Sequence, residues 1–173
     1  IAELSNTQIA ALTENQVSNL TATQVASLSA EDLTALTTSQ LMALTSVQIK
    51  ALSADQIASF NPSDLGRFSA TQLNNLTAVQ IRALTTDQIS QLTTTQMSAL
   101  STAGISGLQD TQVAALTSTQ INVLTTKQIS ALTTTAAASL TLDQITSLNT
   151  TLLRAMTATQ IAAFSNDQIA ALT

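Results

Sequence analysis

Every eighth residue of this chain is apolar. Leu stands at positions 4, 12, 20, 28, 36, 44 and 52, and the series runs on to Leu172 with no insertion or deletion. All 22 of its members are apolar, Leu throughout except Phe60, Phe68, Met156 and Phe164. A second apolar series runs from Ile1 through Ile9, Val17 and Val25 to Ile169, with Ala137 its smallest member. The residue after each Leu is Ser or Thr in 19 of 22 cases, and Asn61 and Asn149 supply two more; three residues later comes Gln, in 16 of 21 cases. The unit is Leu-Ser/Thr-x-x-Gln-Ile-x-x, and about 21 copies of it fill residues 1–173 as a single array. Repeats this short must stack on their neighbours to bury anything, which makes the chain a solenoid.

A period of eight cannot be one continuous helix, because eight residues turn through about 800° and would smear the apolar positions around the axis. Short helices are a different matter. Ser or Thr followed three residues later by Gln is a capping box, in which the hydroxyl accepts from the third backbone N–H and the Gln reaches back to the cap. The apolar residues before the cap and four after it form a hydrophobic staple. Leu4 and Ile9 flank Ser5 and Gln8 in that register, as Leu20 and Val25 flank Thr21 and Gln24.

Three further observations support helix. Glu14, Glu31, Asp32, Asp55, Asp64, Asp87, Asp110, Asp143 and Asp167 all fall within three residues of a cap, while Lys50, Arg67, Arg82 and Arg154 fall toward the other end of their units. That is the sorting a helix dipole favours. Pro62 directly follows the cap Asn61, where a helix tolerates proline. Ala, a strong helix former, is frequent inside the units. A β-solenoid fails on parity: the two apolar positions are alternately five and three residues apart, so a strand would send them to opposite faces.

The expected fold is therefore all-α, a solenoid of short capped helices, one per eight-residue repeat. Isolated helices under about 12 residues are marginal, so burial against neighbouring units must hold each in place. A cap contributes about 1 kcal/mol, and burying Leu or Ile roughly 1.5–3 kcal/mol each; burial dominates, and the cap decides where the chain turns. Exceptions to the consensus recur at a spacing of 32, as in Asp32 with Asp64, Asp55 with Asp87, Lys50 with Arg82, and Gly104 with Ala136. This points to four units per coil, with three or two as alternatives. Four would give roughly five and a half coils and a rod near 50 Å long.

Departures from the consensus mark expected weak points, with repeat drift as the plain explanation. They are Ser101 to Asp110 with Gly104, Gly107 and Gln109 at a cap; Thr133 to Leu140, where Ala136 replaces Gln; Asn149 to Met156, where Leu152 does; and Gly66 with Arg67 between Phe60 and Phe68.

Composition bounds the function. The chain has no His, Cys, Trp or Tyr, which removes the commonest bases, nucleophiles and soft-metal ligands. It is read as non-catalytic, with no catalytic, cofactor-binding or metal-binding residues assigned and no cofactor expected. Glu31 with Asp32 is the only adjacent acidic pair and lacks the dense oxygen-ligand pattern of a calcium loop. A net charge of −5 with only five scattered Lys and Arg argues against nucleic acid as a partner. No apolar run approaches the ~18 residues of a membrane span, and nothing at the start reads as a signal peptide. Opening at Ile1 without Met, the chain is expected to be a mature segment or a piece of a longer array. Charged residues are only 9%, so Thr, Ser, Gln and Asn cover the surface. Thr-x-Thr pairs such as Thr21 with Thr23, Thr93 with Thr95, Thr133 with Thr135 and Thr157 with Thr159 leave an ice-binding face conceivable, although a cap followed by filler accounts for them. Asn19-Leu-Thr, Asn75-Leu-Thr and Asn149-Thr-Thr match the glycosylation triplet, as chance allows in so Thr-rich a chain.

Ala83 to Ile89 reads ALTTDQI, and Ala131 to Thr133 follows Lys127-Gln128-Ile129 in the same phase. This resembles the short Ala-Leu-Thr-x-x-Gln-[Ile/Val] tandem repeats of very large bacterial proteins predicted to be exported or surface-attached, adhesin- or haemagglutinin-like. The resemblance implies an extracellular or cell-surface stalk or spacer, self-associating end to end or continuing in the same chain, with a protein or glycan partner undefined. The alternative is a binding module for a protein, a glycan or ice.

Overall fold

The computed structural model describes residues 4–172; Ile1, which opens the second apolar series, and Thr173, the last cap position, lie outside the described residues. Among the described residues there are 21 helices, from Asn6–Ala10 to Asn166–Ala170, one per unit and four to six residues long, and no strand. Each begins at the expected cap. In the unit of Thr77, the hydroxyl accepts from Gln80 N–H at 3.3 Å and Gln80 Oε1 accepts from Thr77 N–H at 2.9 Å. The same reciprocal pair recurs from Ser5 with Gln8 to Ser165 with Gln168.

The chain turns without special residues. At a typical corner, Leu84 (φ −61°, ψ 140°) and Thr85 (φ −72°, ψ 160°) are both extended, one closing a helix and the other opening the next. No described residue has a positive φ. Any L-residue can occupy this corner, which is why the array needs only three glycines.

The expected four units per coil is corrected to three. Helix Ala54–Ser59 packs under Ala78–Ala83, Ala78–Ala83 under Thr102–Ile105, and Thr102–Ile105 under Thr126–Ala131, each three units on. The coil is thus a triangle of 24 residues, and the described helices make seven coils, a rod about 60 Å long. The reason for three lies in the filling. Two apolar side chains per unit close a triangular interior, whereas a square one would leave voids whose lining loses its contacts. Ile49, Ile57, Ile81 and Ile89 are fully buried, and the Leu series between Leu28 and Leu140 is buried throughout. Side chains from successive corners meet on the axis: the rings of Phe60 and Phe68 lie edge to face, 5.5 Å apart. Units four apart do touch, but only at the corners, through hydrogen bonds described next.

Candidate functional site

The capping glutamine has a second partner. Its Oε1 serves the cap of its own helix, and its Nε2 reaches down to the corner of the coil beneath. Gln80 Nε2 donates to Ile49 O at 2.8 Å and to Leu52 O at 2.7 Å. All thirteen glutamines at this position from Gln40 to Gln168 donate to the carbonyl 28 residues earlier, at 2.6–2.9 Å. These carboxamides are buried. A helix end leaves its last carbonyls without intrahelical partners, and here the coil above supplies the donor. Sequence reading assigns the glutamine only to the cap and misses this rung. The missed signal is the absence of Glu at the position: a capping box accepts Glu as readily, and a helix N-terminus prefers it, yet only an amide can donate.

Where the glutamine is missing, the ladder changes. Leu152 replaces it above the corner of Leu124, and there Asn122 and Asn149 make the crossing instead. Asn122 Oδ1 accepts from Asn149 N–H at 2.9 Å and from its Nδ2 at 3.0 Å, while Asn122 Nδ2 donates to Ser147 O at 2.9 Å. At Gly104 the position is buried, and a Cβ there would make ordinary contact with Leu76 O at 3.5 Å. Gly107 approaches so tightly that a Cβ would stand 2.2 Å from Ala78 O. Gly107 is thus a fitted contact. Gln109 also takes a new role, its Nε2 donating to Arg82 O at 2.8 Å.

Ala136, itself fully buried, supplies no rung. Above Leu108 no carboxamide enters, and a shallow cleft of about 370 Å³ lies between Arg82, Ser106, Gln109, Asp110, Thr133 and Thr135. A second, of about 280 Å³, lies beside Leu140, Ser165 and Asp167.

The acids stand where the sequence puts them, in first turns: Glu14, Glu31, Asp32, Asp55, Asp64, Asp87, Asp110, Asp143 and Asp167. Lys50, Arg82 and Arg154 lie in last turns. Among the described residues no three acids approach closely enough to hold a metal ion, and no helix is long and apolar enough to cross a membrane. The Thr-x-Thr pairs lie at exposed corners. Thr133 and Thr157 are bonded to Thr135 and Thr159 at 3.1 and 3.0 Å. The 24-residue coil also aligns Thr23, Thr71, Thr95 and Thr119 along one corner, with Val47 interrupting the row. Of the triplet asparagines, Asn19 bonds to Asn15, Asn75 to Ser46 and Thr71, and Asn149 caps its helix.

No curated protein matches the chain. The model of the ALTTAQ repeat family matches residues 25–62, 57–94, 93–126 and 143–173, most of the array. The chain therefore belongs to the ALTTAQ repeat family.

Proposed function

We propose that this array is a non-catalytic structural element, a rigid, elongated stalk or spacer of an extracellular or cell-surface protein. The observation that carries the reading is the glutamine ladder. From Gln40 to Gln168 it ties each coil to the one beneath at the corners, around an apolar interior. Such a rod resists bending because tilting one coil on the next must break buried bonds and open the core together. The extracellular setting rests on the likeness of Ala-Leu-Thr-x-x-Gln-Ile to repeats of exported bacterial proteins. Small-angle X-ray scattering of the chain tests the shape: a rod about 60 Å long supports a spacer, and a compact or flexible particle counts against it. Fractionation of the source cells tests the setting, and recovery in the cytosol alone overturns that part.

The alignment of Thr23, Thr71, Thr95 and Thr119 on one corner favours a second reading, a binding module whose Thr row meets an ordered surface such as ice. Ice crystals shaped by the protein, and unshaped by a Thr71→Lys/Thr95→Lys variant, would support it; unmodified crystal growth would end it.

A further inference from the structure

We propose that one lateral side of the triangular rod pairs with the same side of a second copy of this chain, the two rods lying antiparallel. The pairing depends on the rod itself and holds whether or not the array serves as a spacer.

The side is the stack of helices from Ala30–Ala35 through Ala54–Ser59, Ala78–Ala83, Thr102–Ile105 and Thr126–Ala131 to Thr150–Ala155, each packed on the one before. Its charges are segregated along the rod. Glu31 and Asp55 stand on the first two of these helices, which carry no base; Arg82, Lys127 and Arg154 stand on the last four, which carry no acid. All five side chains are exposed, and their charged groups have no ion-pair partner among the described residues. Helix dipoles do not account for this order. A dipole sorts charge within each unit, not from coil to coil, and Lys127 stands in a first turn, where a dipole disfavours it. Between the charges the surface is low, with Ala54, Ala78 and Ala103 on its outer positions.

The occupant follows from that pattern. A two-fold axis along the helix direction, passing between Ala78–Ala83 and Thr102–Ile105, turns the rod end for end and sets each helix position opposite its own kind. Asp55 then faces Lys127 of the second copy, Glu31 lies one helical turn from Arg154 of the second copy, and the symmetry makes each pair twice. At the centre Val79, 64% exposed, meets Ala103 of the second copy, so an apolar middle is flanked by ion pairs. A parallel pair would instead bring Glu31 beside Glu31 and Arg154 beside Arg154. The side is about 50 Å long and one helix, about 10 Å, wide. Two such sides bury about 1,000 Å² together, enough for a weak specific association.

Charge reversal tests the pairing. Lys127→Glu/Arg154→Glu and Glu31→Lys/Asp55→Lys each set like charges together in the homodimer, and mixing the two variants restores all four ion pairs. Sedimentation velocity of the unmodified chain should show a reversible dimer that weakens as salt rises. Each variant alone should associate at least about tenfold more weakly, and the equimolar mixture about as strongly as the parent. Spin labels fix the direction: in the dimer, labels on Thr102→Cys should lie within about 20 Å of each other and labels on Thr7→Cys about 60 Å apart. A chain still monomeric at about 1 mM, variants that pair as the parent does, a mixture as weak as either variant, or Thr7 labels in close contact would overturn the proposal. Should a reversed variant lose its circular dichroism, the labels and the salt dependence of the parent decide. A monomer whose scattering is still a rod leaves the spacer reading standing while the pairing fails.

Discussion

Gln80 and Leu52 hold two coils together across one corner: the Gln80 amide nitrogen lies 2.7 Å from the Leu52 carbonyl, and the other end of the same carboxamide caps its own helix at Thr77. One side chain thus satisfies an N-terminal donor of one helix and C-terminal acceptors of another, and the second task is out of water.

Replacing Gln80 by Glu separates the two tasks. The cap survives, but Leu52 O loses its side-chain donor, Ile49 O keeps only the Leu52 N–H, and a carboxylate is pressed against both, at a cost of about 2 kcal/mol or more. The same change at Gln24, whose amide is exposed, should stay within about 0.5 kcal/mol. Urea denaturation followed by circular dichroism compares the pair; equal losses would mean that the amide nitrogen contributes nothing.

Ala136 gives the converse experiment. Ala136→Gln places a carboxamide above Leu108, beside the cleft of about 370 Å³, and Thr133 already provides the cap hydroxyl, 3.1 Å from the backbone N–H of residue 136. The variant should gain about 0.5–1.5 kcal/mol. Loss of stability would show that the space above Leu108 is too small for the rung.

Much of this was legible in the sequence. The eight-residue period, the cap hydroxyls and the parity of the apolar series led to short helices, and Thr77, Gln80 and Ile81 sit as read. The coil number was not. Exceptions such as Asp32 and Asp64 stand four units apart, and units four apart are joined by the rung, but the stacked pair is three apart, as Ala54–Ser59 is to Ala78–Ala83. Which helix lies above which depends on how side chains fill the interior, and that is a property of the assembled coil. The rung itself was hidden because Gln already had an explanation at the cap.

Two glycines separate space from conformation. Gly107 has a negative φ, so its need is for room: a Cβ would lie 2.2 Å from Ala78 O and 2.6 Å from Ala78 Cα. Gly107→Ala should therefore cost about 1–3 kcal/mol. At Gly66 the nearest contact would be 3.4 Å and the backbone is right-handed helical, so Gly66→Ala should be neutral or stabilise by up to about 1 kcal/mol. Thermal melts of the two variants check the contrast.

Removing a cap should act locally. Thr77→Ala deletes the hydroxyl that accepts from Gln80 N–H and should cost about 1 kcal/mol, while Thr77→Ser should restore most of it. Hydrogen exchange should show faster exchange at Gln80 in the Ala variant, with distant units such as that of Thr141 unchanged, because stability in a linear repeat is summed over neighbours.

The triangular coil is tested most directly by distance. The chain has no cysteine, so spin labels can be placed at will on Thr71→Cys/Thr95→Cys, 24 residues apart, and on Thr71→Cys/Ala103→Cys, 32 apart, all at exposed positions. Three units per coil predicts strong spin–spin broadening for the first pair, one helix spacing of about 8–10 Å apart along a single corner, and weaker broadening for the second. A closer approach in the 71/103 pair than in the 71/95 pair would contradict the triangle and the glutamine ladder built on it.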